Sequence, residues 1–123
     1  MILVDISIWI DHLRAGSPPL ISLLETGMAY CHPFVIGELA CGSLSNRSEI
    51  LNLLQSLPQL PTATNDETLF FIEQHRLMGR GIGYNDTHLL ASTAISAARL
   101  WTRDKRLKTI AEDMGLDYQP LAH

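Results

Sequence analysis

The stretch Met1-Ile-Leu-Val-Asp-Ile-Ser-Ile-Trp-Ile-Asp-His-Leu-Arg14 decides the fold that we expect for this chain. Its first four residues are an apolar run rich in strand formers, which is typical of a parallel strand buried on both faces. From Ile6 the apolar residues recur at helical spacing, and Asp5 or Ser7 stands where it can cap that helix. Asp5 therefore lies at the carboxyl end of a central strand, the edge at which open α/β sheets bind ligands.

Predicted strands and helices alternate along the rest of the chain. We expect short strands at 28–32, 60–63, 100–102 and 116–118, and further helices at 19–25, 33–42, 50–57, 64–78, 85–98 and 105–114. Capping-box patterns at Asn46-x-x-Glu49 and Thr64-x-x-Glu67 precede two of these helices. This alternation predicts a single α/β domain over residues 1–123, a three-layer α/β/α sandwich around a mostly parallel sheet.

The composition limits the classes of function. A net charge of -4 and a pI near 5.6 provide no overall basic surface, so a nucleic acid would need a local basic patch or metal ions. Cys31 and Cys41 lack the spacing of a zinc site, and we expect reduced, partly buried thiols. No apolar run approaches the roughly 18 residues of a membrane span, which favours a soluble cytoplasmic protein.

Four acidic residues occupy related positions. Asp5 and Asp104 each follow a predicted strand, Glu38 is alone in an apolar helix, and Asp86 stands at the start of a buried helix. Each has a simpler interpretation, since Glu38 can point to solvent and aspartates favour caps and turns. Because parallel strands end at one edge, their joint placement favours a cluster whose charge is offset by cations. Oxygen ligands alone indicate Mg²⁺ or Mn²⁺ rather than zinc.

These acids lie in four motifs. The motifs are Val4-Asp-Ile-Ser-Ile-Trp-Ile-Asp11, Gly37-Glu-Leu39, Asn85-Asp-Thr-His-Leu-Leu-Ala91 and Leu100-Trp-Thr-Arg-Asp-Lys-Arg-Leu107. Through them the chain resembles, over nearly its whole length, the PIN-domain ribonucleases, specifically the VapC toxins of type II toxin–antitoxin systems. The resemblance places the acidic quartet of that family at Asp5, Glu38, Asp86 and Asp104.

The resemblance also assigns supporting hydroxyl groups to Ser7 and Thr102. Ile6 is a departure, because such toxins often have threonine or alanine there. This departure concerns the hydrogen bonding around Asp5 and leaves the acid itself in place.

The implied activity is that of an endoribonuclease in which one or two Mg²⁺ or Mn²⁺ ions activate water for hydrolysis of RNA phosphodiester bonds. Asp5 and Asp86 would be direct ligands, Glu38 a ligand or a water-orienting base, and Asp104 a more peripheral acid. The resemblance further implies a VapB-like antitoxin that inserts a basic side chain into the site. It also implies a toxin homodimer within a hetero-oligomer that contacts operator DNA only through the antitoxin, with no membrane partner.

Basic residues concentrate near Asp104, with five of the nine Lys and Arg residues in the window 99–108. Arg103, Lys105 and Arg106 are our candidates for binding RNA phosphates, and a solvated helix start is the alternative interpretation. Exposed apolar positions between 46 and 78 are candidates for partner contacts.

The histidines show no metal-ligand spacing. The five are His12, His32, His75, His88 and His123. Only His88, two residues after Asp86, is placed where it can face the site. Trp9 and Trp101 are expected in the core.

Two other classes of function share parts of this pattern. A non-catalytic RNA- or protein-binding module can have this fold, but the presence of all four acids favours the nuclease. An aspartate-dependent phosphoryl-transfer domain also begins with an aspartate after its first strand. Phosphatases of the haloacid dehalogenase kind need a second aspartate where Ser7 stands, and receiver domains need one after the third strand, where residues 58–64 contain none.

Overall fold

The computed structural model describes residues 1–120, and His123 lies outside them. Its sheet has three parallel strands, β1 (Ile2–Val4), β2 (Ala29–Tyr30) and β3 (Arg99–Trp101), in the order β2-β1-β3. Leu3 pairs with Tyr30 on one side and with Leu100 on the other. The predicted central strand is therefore confirmed, and it leads directly to Asp5.

Helices cover this small sheet on both faces. In chain order the helices of the described residues are α1 (Ile6–Ala15), α2 (Pro18–Glu25), α3 (Pro33–Cys41), α4 (Arg47–Ser56), α5 (Asn65–His75), α6 (Tyr84–Ile95) and α7 (Lys105–Asp113). α2 packs against β2, α6 packs against β3 and α5, and α3 contacts α1 and α4. The predicted α/β sandwich is confirmed. The core that it encloses is continuous, and Trp9 and Trp101 belong to it as expected.

The sheet is smaller than the sequence predicts. The segments expected as strands at 60–63 and 116–118 contribute only single parallel bridges, at Gln59 with Cys31 and at Asp117 with Leu100. Pro58 and Pro61 have no N–H group to donate, so pairing beside β2 stops after two hydrogen bonds.

The two predicted capping boxes have different outcomes. Thr64 and Glu67 form both reciprocal hydrogen bonds, at 3.0 and 2.9 Å, so this box is confirmed. Asn46 instead adopts a left-handed backbone with φ of 55° and makes no side-chain cap, so the box predicted there is wrong. Helix α5 ends at His75, because Arg76 also takes a left-handed conformation. Helix α6 ends at Ile95 rather than at Ala98.

The two cysteines lie in different environments. Cys31 is fully buried at the end of β2, and burial raises the pKa of its thiol to about 12. Cys41 is exposed at the end of α3, so the expectation of a partly buried thiol is wrong for this residue. Within residues 1–120, no helix is both long enough and apolar enough to cross a membrane.

A buried histidine joins three segments behind the sheet. His32 Nδ1 accepts the backbone N–H of Phe34 at 3.1 Å, so the neutral ring carries its proton on Nε2 and donates to Ser92 Oγ at 3.0 Å. The same Ser92 oxygen accepts the N–H of Ala63, also at 3.0 Å. Burial, followed by the nearby charge of His88, lowers the pKa of His32 to about 4.

This histidine makes folding sensitive to mild acid. Unfolded chains protonate histidine near pH 6.5, whereas folded His32 stays neutral down to about pH 4. The contribution of His32 to the free energy of unfolding is therefore fully present above pH 6.5. It falls by roughly 3 kcal/mol as the pH drops towards 4. Urea denaturation of the wild type and of His32→Gln at pH 7.5 and 4.5 measures the difference. Equal pH dependence of the two proteins would contradict the assignment.

Candidate active site

Asp5 lies at the carboxyl edge of the sheet, immediately after β1. Its backbone N–H donates to the carbonyl oxygen of Trp101 at 3.0 Å, which continues the pairing of β1 with β3. Only 3% of its surface is exposed. Because a buried carboxylate loses its hydration, it needs hydrogen bonds or a cation to compensate.

Two hydroxyl groups provide that compensation on one carboxylate oxygen. Asp5 Oδ2 accepts from Ser7 Oγ at 2.9 Å and from Thr102 Oγ1 at 2.7 Å. Backbone N–H groups donate to the hydroxyl oxygens in turn, from Arg103 to Ser7 at 3.0 Å and from Asp104 to Thr102 at 3.1 Å. We refer to Asp5, Ser7 and Thr102 as the hydroxyl clamp. It leaves Asp5 Oδ1 without a hydrogen bond from the described residues.

Ile6 does not disturb this arrangement. Its half-buried side chain packs against the hydrophobic core, and the hydrogen bonds to Asp5 come from Ser7 and Thr102 instead. The residue at position 6 is therefore a packing residue, and the clamp does not depend on a hydroxyl group there.

Asp86 is the third residue of α6 and is half-buried. Gly83 occupies the N-cap position and Asp86 makes no cap hydrogen bond, so the capping interpretation of Asp86 is wrong. Burial, followed by the negative charges of Asp5, Asp104 and Glu38, raises the pKa of Asp86 to about 6. Asp86 therefore lies close enough to the other three predicted acids to be affected by their charges, and we refer to the four residues as the acidic cluster.

Glu38 and Asp104 lie on the exposed rim of this cluster. Glu38 Oε1 accepts a hydrogen bond from Asn85 Nδ2 at 3.1 Å, which links α3 to the start of α6. Asp104 caps α7, because its Oδ1 accepts the backbone N–H of Leu107 at 3.0 Å. The capping interpretation thus holds for Asp104, and the solvent-exposed interpretation holds for Glu38.

The donor set of the acidic cluster consists of carboxylate oxygens only. Such ligands match Mg²⁺ or Mn²⁺, and an ion would offset the repulsion that acts on Asp86. In the part of the chain that the structure describes, no three His, Cys, Asp or Glu side chains stand close enough together to enclose an ion. The cluster therefore fits a hard divalent cation by chemistry, with its side chains more widely spaced than in a closed coordination shell.

Known proteins are similar to this chain in sequence or in fold. No protein-family model matches the chain. Ribonuclease VapC32 of Mycobacterium tuberculosis, from strains CDC 1551 / Oshkosh and ATCC 25618 / H37Rv, is 51% identical over 117 residues, which cover 94% of each protein. The chain belongs to the VapC family of PIN-domain ribonucleases.

A solved structure supports the fold of this VapC family member. The crystal structure of PAE2754 from Pyrobaculum aerophilum matches it with a TM-score of 0.61, covering 89% of this chain and 78% of that one. The two sequences are 18% identical, so the likeness concerns the arrangement of helices and strands alone.

The basic residues of this VapC family member surround the start of α7. Arg103, Lys105 and Arg106 are exposed. Arg103 forms an ion pair with Asp11 of α1. Within the described residues none of the three forms an ion pair with the acidic cluster, and Arg106 donates a hydrogen bond to the carbonyl oxygen of Gly81.

Sequence reasoning missed two polar residues beside the site. Asn85 holds Glu38, and Asp11 holds Arg103. Asp11 lies four residues after Ser7 on the same helix, a spacing that places both on one face and could have indicated its position. Asn85 gives no such signal, because its partner is 47 residues away in sequence.

His88 turns away from the acidic cluster. Its ring nitrogens lie 3.3 Å from Thr68 Oγ1 and 3.2 Å from Asn65 Oδ1, both on α5. Only 2% of the residue is exposed, and burial lowers the pKa of its imidazole. The expectation that His88 can face the site is wrong, and the residue joins α6 to α5.

The titration of Asp86 tests the proximity of the four acids. In ion-free protein we expect its carboxyl carbon to titrate in NMR spectra with a midpoint near pH 6, against an ordinary value of 3.8. Asp5→Asn removes one repelling charge and should lower the midpoint. Asp66→Asn, at the start of α5, is the matched control and should leave it unchanged. Because burial also raises this pKa, an unchanged midpoint in Asp5→Asn is the result that would show that Asp5 does not act on Asp86.

Proposed function

We propose that this protein is the toxin of a type II toxin–antitoxin system and a Mg²⁺- or Mn²⁺-dependent endoribonuclease of the cytoplasm. Its membership of the VapC family and the name of its mycobacterial relatives support an action on RNA. The observation that carries the proposal is the acidic cluster, in which one half-buried carboxyl group, Asp86, experiences the charges of three others.

A bound divalent cation would supply charge neutralisation at a phosphodiester and would acidify a water molecule for attack. Everything else must come from the side chains. The hydroxyl clamp fixes Asp5 by one oxygen and leaves Oδ1 available as a ligand. Asp86 offers a carboxylate that is free of hydrogen-bonded cap contacts. These two residues are therefore our direct ligands.

The rim acids take lesser roles. Glu38 is exposed and oriented by Asn85, so its second oxygen can hold and orient a water molecule or accept its proton. Asp104 commits one oxygen to the cap of α7, which leaves one oxygen for the site. This supports Asp104 as the peripheral acid. No protein nucleophile is required, and Ser7 is occupied in holding Asp5.

The proposed partner is a VapB-like antitoxin that covers the acidic cluster with a basic side chain. A partly apolar groove of about 600 Å³ between α1, the end of α3 and the start of α4 supports this, because Ile10 lines both the groove and the hollow beside Asp104. The groove also includes Leu13, Leu39 and Ile50.

A toxin homodimer is the other proposed contact. Phe70 and Ile95 are 67% and 54% exposed beside one another on α5 and α6, which supports a contact there. Operator DNA would be reached through the antitoxin.

Loss of either direct ligand should abolish RNA cleavage. We expect Asp5→Asn and Asp86→Asn to lower the rate at least about 100-fold, since charge stabilisation at such sites is worth several kcal/mol. The measurement is cleavage of defined RNAs by purified protein with and without Mg²⁺. Asp66→Asn is the control of equal charge change and should retain activity. Undiminished cleavage by Asp86→Asn, or by wild type in EDTA, would contradict the proposed metal-dependent mechanism.

Ion binding can be tested without turnover. If Mg²⁺ binds at the acidic cluster, it favours the carboxylate form of Asp86, so its NMR titration midpoint should move from about 6 to lower pH. The shift should be lost in Asp5→Asn at the same Mg²⁺ concentration. A midpoint that does not respond to Mg²⁺ or Mn²⁺ would contradict the metal site.

A further inference from the structure

A second charged feature lies beside α7, outside the acidic cluster. An open groove of about 320 Å³ runs between the loop after α5 and the first two turns of α7. Its lining residues are Arg80, Lys105, Arg106, Thr109 and Ile110. We refer to it as the basic groove.

Two guanidinium groups of the basic groove each contact a residue outside the groove lining. Arg80 Nη2 pairs with Asp113 Oδ2 at 3.2 Å, and Arg106 Nη1 donates to the carbonyl oxygen of Gly81 at 3.4 Å. A guanidinium group has five N–H donors, so each contact leaves most of them available. Fixed guanidinium groups lose less side-chain entropy on binding a phosphate than mobile ones.

Gly81 makes room for this arrangement. A Cβ atom at position 81 would lie 2.8 Å from Arg106 Nη1, and the backbone there has a φ of +84°. The positive φ favours glycine at this position, and a Cβ atom would also push the end of the flexible Arg106 side chain away. The loop therefore lies in close contact with Arg106.

The charge of the basic groove is strongly unbalanced. Three of its lining residues are cationic and none is acidic, in a chain whose net charge is -4, and Asp113, which pairs with Arg80, lies at the end of α7. Lys105 and Arg106 directly follow Asp104 of the acidic cluster. The start of α7 therefore carries residues of both the basic groove and the acidic cluster.

We propose that the basic groove binds the sugar–phosphate backbone of a single-stranded RNA at a phosphate next to the one that is cleaved. Arg80 and Arg106 each donate hydrogen bonds to phosphate oxygens of this backbone through their remaining N–H groups. Lys105, the residue after Asp104, adds positive charge. The inference deepens the proposed ribonuclease function and rests on it. It adds Arg80, 26 positions before Arg106 in sequence, to the residues that hold RNA.

Two measurements on the full-length chain test the proposal. The first is fluorescence anisotropy with a labelled 12-nucleotide RNA in EDTA, over a series of salt concentrations. The second is single-turnover cleavage of the same RNA in Mg²⁺ over a series of protein concentrations. The variants are Arg80→Gln and Arg106→Gln, with Arg47→Gln at the start of α4 as the control of equal charge change. Thermal unfolding midpoints establish that each variant is folded.

Each groove variant should raise the Kd and the half-saturating protein concentration about threefold to tenfold, with the maximal cleavage rate unchanged. In a plot of the logarithm of affinity against the logarithm of salt concentration, the slope should become shallower by about 0.7 for each phosphate that the variant no longer neutralises. Arg47→Gln should match the wild type in both measurements.

The outcomes separate this proposal from the ribonuclease function. Wild-type cleavage with no effect of Arg80→Gln or Arg106→Gln overturns the groove alone. Absence of cleavage with groove-dependent binding overturns the ribonuclease function and keeps the RNA site. Displacement of the RNA by poly-glutamate at equal charge concentration would identify the groove as a site for acidic peptides and would overturn the proposal.

Discussion

The site depends on the burial of one carboxylate at the end of a strand that is itself buried on both faces. Asp5 has 3% exposure, and a charge in that position is tolerated only where protein groups replace its hydration. The hydroxyl clamp does this for one oxygen and leaves the other accessible. Because its two hydroxyl groups come from the start of α1 and the end of β3, the same contacts that hold Asp5 also fix the two segments that frame the site.

Asp5 and Asp86 differ in how their carboxylates are stabilised at the edge of the sheet. Asp5 has two hydroxyl donors, whereas Asp86 has no cap hydrogen bond. Burial, followed by the like charges of the other three acids, raises the pKa of Asp86 to about 6. The edge of the sheet is thus stable in its own right at Asp5 and electrostatically strained at Asp86. A cation placed between them would favour the carboxylate form of Asp86, which supports the proposed metal site.

The parts that sequence predicts are those set by local patterns. The end of the apolar run marks Asp5, and Thr64 with Glu67 forms the capping box that its spacing indicates. Contacts between distant segments carry no local signal. Arg80 meets Asp113 from 33 residues away, and Asn46 adopts a left-handed conformation that its capping-box pattern does not indicate. The capping interpretation of Asp86 fails for a related reason, because the N-cap position of α6 is Gly83, three residues earlier.

The separation of the clamp residues has a consequence for synthesis of the chain. Thr102 and Asp5 meet across 97 residues of sequence, and β1 cannot pair with β3 until that second strand exists. Contacts of such high sequence separation form late, since the intervening loop must close first. Until β3 and Thr102 have been synthesised, a nascent chain on the ribosome therefore lacks one of the two hydroxyl donors of Asp5. The acidic cluster assembles only after Asp104 has been synthesised, so chains that stop before this residue contain no assembled site.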